Sequence, residues 1–212
     1  MRSPLSPALI GALLAALAAL AAAATIAWFQ FTQVAVAPGK NGSAGFQPLV
    51  EVGGAFELVD HSGKPVTDTD YRGEYLLVFF GYTYCPDICP TELQNMTIAM
   101  DELGEKAQFV RPLFITIDPK RDTVDYISQY VSHFHPRLVG LTGTLEQIER
   151  AARIYRVFYA KVDDPQATEY LMDHSSFVYL MGRDGKLLTI FPHATDPSRM
   201  AETINAYVEQ GL

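Results

Sequence analysis

One stretch limits this chain more than any other. Residues 75–82 read YLLVFFGY, an unbroken apolar and aromatic run. Such a run predicts a strand buried on both faces, which requires sheet neighbours on either side and helices above and below. The stretch GYTYCPDICP (81–90) follows at once and contains both cysteines of the chain. Pro90 then suits a first helical position, and Leu93, Met96, Ala99, Met100 and Leu103 recur at helical spacing before Gly104. The cysteines therefore sit where a buried strand turns into a helix.

The remaining pattern agrees with that start. GAFELVDHSGKPVT reads as a hairpin turning at Ser62-Gly63. FVRPLFITID (109–118) is a second strand candidate. DTVDYISQYVSHF is an amphipathic helix with Asp122 as its N-cap. RLVGLTG is a short strand, and TLEQIERAARIYRVF a helix opened by a Thr144/Gln147 capping box. SFVYLMGRDGKLLTIF is a hairpin turning at Asp184-Gly185, and DPSRMAETINAYVEQ a closing helix. The order predicts an α/β fold of thioredoxin-like type with an N-terminal β-hairpin extension. In open α/β sheets the chemistry gathers at the carboxyl ends of strands, where the cysteines lie.

The N-terminal quarter differs in kind. No charge occurs from Ser3 to Gly39, and 8–30 is nearly all apolar, long enough to cross a hydrocarbon core of roughly 30 Å. The reading is a single transmembrane helix over 8–30, with 1–7 cytoplasmic and Trp28 and Phe29 at the far interface. The alternative is a signal peptide cleaved near Ala22-Ala23-Ala24. Either reading exports the domain, which in a bacterium means the periplasmic side of the inner membrane. Residues 31–48, dense in Pro, Gly, Ser and Asn, read as a linker, and 49–212 as the folded domain. A net charge of −8 without a basic cluster argues against nucleic-acid binding.

Cys85 and Cys89 allow three readings. A disulfide closing so small a loop removes little chain entropy and stabilises the domain only slightly. A redox pair suits the helix N-terminus, but the spacing is C-x-x-x-C and Asp87 places a like charge near any thiolate. A metal pair would favour a soft ion, copper(I) above others, with zinc as competitor. A third ligand would come from His61, His133, His135, His174 or His193. His174, just before a buried-looking strand, is the best placed, in a loop expected to face the cysteine turn. Met172 lies near it and is a conceivable weak copper ligand, with packing the simpler reading. Met96 and Met100 read as core.

Taken together, Cys85-Pro86-Asp87-Ile88-Cys89-Pro90, Ile117-Asp118-Pro119-Lys120-Arg121-Asp122-Thr123, Leu141-Thr142-Gly143-Thr144 and Asp173-His174-Ser175 resemble the ordered motifs of the Sco/SenC family of copper-binding cytochrome oxidase assembly proteins. Val124 departs from the proline that relatives often carry there. The resemblance implies a thioredoxin-like domain holding copper(I) or copper(II) through Cys85, Cys89 and His174. It implies a role in building the CuA centre of cytochrome c oxidase subunit II, either by delivering copper or by reducing that subunit's cysteines. Asp118 matches an acidic family position, and Asp118 and Asp87 are secondary candidates. Expected partners are subunit II, a periplasmic copper donor and a thioredoxin-like thiol reductant, since the ligands must stay reduced in an oxidising compartment.

Overall fold

The structure is a computed structural model that describes residues 25, 51–162 and 169–211. The expected membrane span and linker therefore fall, but for Thr25, outside the described residues. Among the described residues no helix is long and apolar enough to cross a membrane. Leu49–Leu212 forms one compact unit.

Its elements run β1 (Glu57–Asp60), β2 (Pro65–Thr67), β3 (Tyr75–Gly81), α1 (Ile88–Glu102), β4 (Val110–Thr116), α2 (Val124–Val131), β5 (Val139–Thr142), α3 (Leu145–Ile154), β6 (Tyr159–Val162), β7 (Leu171–His174), β8 (Val178–Met181), β9 (Leu187–Phe191) and α4 (Pro197–Gln210). Seven strands form one sheet in the order β2-β1-β5-β4-β3-β8-β9, and β6 and β7 form a separate ribbon. The β3, β4 and β5 strands are parallel, joined through α1 and α2, while the flanking pairs are antiparallel.

The apolar run behaves as its composition requires. All residues of β3 are buried, between β4 on one side and β8 on the other. Its side chains alternate between faces. Phe79 stacks on Phe114, which touches Tyr130 at the end of α2. Phe80 points to the opposite face and meets Tyr155 and Tyr179. Each such side chain taken fully out of water contributes about 1.5–3 kcal/mol, so this strand anchors whatever is built at its end.

Both expected hairpins form. Asp60 Oδ1 accepts from the N–H groups of Ser62 and Lys64, and Gly63 takes a positive φ of 85° to close the first turn. The Thr144/Gln147 capping box opens α3. Three details differ from expectation. Helix α1 begins at Ile88, ahead of Pro90, so Cys89 lies inside its first turn. Helix α2 is capped by Thr123, whose hydroxyl accepts from Tyr126 N–H, and not by Asp122, which is buried and used elsewhere. His174 lies on β7, paired with Tyr159 of β6, and not in a loop.

Candidate metal centre

The site begins with a close approach. Gly81 ends β3, and a Cβ there would stand 2.7 Å from the Cys89 sulfur and 3.0 Å from Phe79 and Phe114 ring carbons. Only glycine lets the first turn of α1 settle this deeply onto the strand. Cys89 is thereby fully buried, while Cys85, on the preceding loop, is half-buried; both thiols are free.

The loop between Gly81 and Cys85 is held from below by Asp122. Its Oδ2 accepts from Thr83 N–H at 3.0 Å and from the Thr116 hydroxyl at 2.6 Å. Its Oδ1 accepts from the Thr83 hydroxyl at 2.5 Å. Burial pushes this carboxyl above its ordinary range, against those three bonds. Asp122 ties the cysteine loop to the end of β4, an assignment that local sequence could not supply.

His174 comes in from the ribbon. Its Nε2 lies 3.4 Å from the Cys89 sulfur, and its Nδ1 lies 3.0 Å from the Ser175 carbonyl. A carbonyl only accepts, so in the neutral ring Nδ1 carries the proton and Nε2 turns its lone pair toward the sulfurs. The rings of Tyr82 and Phe79 stand edge-on to the imidazole at 5.9 and 6.1 Å. Cys85, Cys89 and His174 each offer one ligand atom, and these atoms all lie within 4.8 Å of one another. Donors sharing one ion at about 2.0–2.3 Å stand at most about 4.6 Å apart. The cluster thus fits a single metal ion after a shift of a few tenths of an ångström.

The ribbon is fastened by polar contacts. Tyr170 donates to Asp118 at 2.9 Å, Arg121 reaches Asp118 at 2.5 Å and the Tyr170 carbonyl at 2.9 Å, and the guanidinium lies 3.7 Å over the Tyr170 ring. Met172 N–H donates to the Tyr82 hydroxyl at 3.2 Å. Asp118 therefore lies outside the three-residue cluster, and its carboxylate works as a fastening. Asp87 is the N-cap residue of α1 without a side-chain capping bond, exposed at the mouth of the cleft. Among the described residues, His61 serves the Gly140 N–H, His135 the Arg137 N–H, and His193 faces Glu92; none joins the cluster.

The two thiols differ sharply. A hydrogen bond from Cys89 holds Cys85 down to about 3, opposed by burial and helped by the ring of His174 when doubly protonated and by the N–H groups of Cys89 and Asp87. Burial, and then the Cys85 thiolate, push Cys89 well above the ordinary thiol range. Metal-free Cys85 is therefore a thiolate at neutral pH. Its alkylation by iodoacetamide is expected to proceed at a rate nearly constant between about pH 5 and 8, where an ordinary thiol speeds up almost tenfold per unit. A tenfold rise per unit would show that Cys85 is not acidified.

The SCO1/SenC family model matches residues 46–209. The chain belongs to the SCO1/SenC family. The human mitochondrial SCO1 homologue is 42% identical over 164 residues, which cover 76% of this chain and 54% of that protein. The chain thus spans only part of the length of such mitochondrial relatives. The crystal structure of Arabidopsis thaliana ScoI with copper bound superposes with a TM-score of 0.71 at 39% identity, covering 75% of this chain and 99% of that one. BsSco, described as carrying a disulfide switch and as a member of the Sco family of cytochrome c oxidase assembly proteins, matches with a TM-score of 0.59 at 26% identity, covering 77% of this chain and 95% of that one. The mixed α/β fold is that of the thioredoxin-like Sco structures.

Proposed function

We propose that this chain binds one copper ion through Cys85, Cys89 and His174 and hands it to the CuA centre of cytochrome c oxidase subunit II. The observation that carries this reading is the convergence of two sulfurs and one lone-pair-bearing imidazole nitrogen within 4.8 Å. Two thiolates and an imidazole favour copper over harder ions. The cluster borders an open cleft also lined by Tyr82, Asp87 and Met172, so an incoming donor can reach the ion. Three ligands hold the cargo and leave a position for the acceptor's thiolate or imidazole. Copper then moves by exchange of one ligand at a time. The apolar segment 8–30 anchors the chain in the inner membrane and keeps the domain on the periplasmic side, near both the oxidase and a copper donor.

One experiment tests the ligand set. The full chain, reduced and held in mild detergent, is titrated without oxygen with copper(I) and copper(II), beside His174→Ala. One-to-one binding and a thiolate-to-copper(II) absorption are expected. The variant should lose more than the roughly 10–100-fold that losing an outer partner costs a metal site. Binding indifferent to His174 would sink the three-ligand reading.

A second reading rests on the thiol asymmetry. A low-pKa, half-exposed Cys85 ahead of a buried Cys89 also suits reduction of the disulfide of subunit II's copper-binding cysteines. The Cys85 thiolate attacks one sulfur of that disulfide, releasing the other as a thiolate. Cys89 then attacks the Cys85 sulfur, leaving the partner a dithiol and this chain a Cys85–Cys89 disulfide. A thioredoxin-like dithiol must restore the pair. This cycle does not need His174, so His174→Ala separates the readings.

A further inference from the structure

Strand β7 carries a second donor beside the histidine. Met172 pairs with Lys161 where His174 pairs with Tyr159. Along β7, Leu171 and Asp173 are exposed while Met172 and His174 are half-buried. Residues two apart on a strand share a face, so the Met172 side chain lies on the side from which His174 reaches the cysteines. All four residues of β7 line the cleft that contains Cys85, so it is the alternation along the strand that sets Met172 beside His174. The position is fixed at two points, by the bond from Met172 N–H to the Tyr82 hydroxyl and by the bonds from Tyr170 to Asp118.

We propose that Met172 is a fourth, soft ligand to copper(I) in this chain, binding through its thioether on the open side of the Cys85, Cys89 and His174 cluster. The inference rests on the copper reading above and adds a residue to it. A thioether is uncharged and polarisable; it favours copper(I) and has little affinity for zinc or other harder ions. Of the other groups lining the cleft, Asp87 and Asp173 offer hard carboxylate oxygens. Met172 thus biases the open coordination position toward copper(I). It is also the weakest of the four donors, and so the one an acceptor thiolate displaces first. The exchange forms one copper–sulfur bond, breaks another and leaves the oxidation state of copper unchanged.

The test uses the full chain in mild detergent, labelled with selenomethionine and loaded with one equivalent of copper(I). Copper-edge X-ray absorption separates a copper–selenium contact from copper–sulfur contacts. Such a contact is expected in the parent chain and should vanish in Met172→Leu, which keeps an apolar side chain of similar size. By competition titration, Met172→Leu should lose about tenfold in copper(I) affinity, the low end of what a supporting group around a metal contributes. Its zinc affinity and melting temperature should not change. One-to-one copper(I) binding without a copper–selenium contact, or with a contact that survives Met172→Leu, would overturn the inference and leave the three-ligand site standing. A parent chain that binds no copper at Cys85 and His174 would overturn the site itself.

Discussion

Replacing Cys89 with serine should abolish tight copper binding, and replacing it with alanine should do more. Cys89 supplies a sulfur that is fully buried and 3.4 Å from His174 Nε2. A serine hydroxyl fits the same space but is a hard, weakly acidic donor that copper(I) does not favour. The expected loss exceeds the roughly 10–100-fold typical of outer groups around a metal. The variants part in their effect on Cys85. The side chain of Cys89 is the largest cause of the acidity of Cys85. Serine keeps a donor there, and alanine removes it. In Cys89→Ala the Cys85 thiol should therefore titrate upward, and its alkylation at pH 5 should slow relative to Cys89→Ser. Copper(I) competition titration and alkylation rates on the same preparations measure both effects. Tight binding retained by Cys89→Ser would remove Cys89 from the ligand set.

Asp122→Ala is expected to have the largest effect on stability. The substitution strands the Thr83 N–H and the hydroxyls of Thr83 and Thr116, two of them on the loop that leads into Cys85. Each donor left buried without a partner costs about 1–3 kcal/mol, reduced where it can rotate to another acceptor or to water. A net loss of about 3 kcal/mol follows, which at this chain length lowers the melting temperature by about 6–12 °C. Asp122→Asn retains the shape and one acceptor and should lose less. Thermal and urea unfolding of the metal-free protein give both values. A loss below about 0.5 kcal/mol, the level of an ordinary surface change, would mean that the loop is held by something else.

Asp122 also shows where sequence reasoning stops. Asp122 and Thr123 are both good N-cap residues, and nothing local chooses between them. The choice is made by Thr83, 39 positions earlier, which takes the carboxylate and leaves the cap to Thr123. Most of the fold was legible because its signals are local. The continuous apolar run is what a doubly covered strand needs, and the Thr144/Gln147 box marks the start of its helix. The β6–β7 ribbon was not legible as a ribbon: Tyr159–Val162 and Leu171–His174 are too short for a periodic pattern and pair only with each other. Of the site, the cysteine pair and His174 could be singled out by chemistry and family resemblance. The structure places them together. Gly81, Tyr82, Arg121 and Tyr170 could not be assigned roles, since a close approach, a ring wall and a fastening exist only between segments distant in sequence.

The three donors do not belong to one sheet. The sulfurs stand at the end of the seven-stranded sheet, and the imidazole is carried by a two-stranded ribbon. A ribbon of that size is marginally stable alone and is kept in place by the polar contacts of Tyr170, Arg121 and Tyr82 and by the packing of Tyr159 and Met172 on the core. An ion bound by both parts is therefore also a clasp between them. Loading would add its binding free energy to the cohesion of the ribbon, and unloading would leave the ribbon to these contacts. If copper binds as proposed, β6 and β7 would be held more tightly in the filled site than in the empty one.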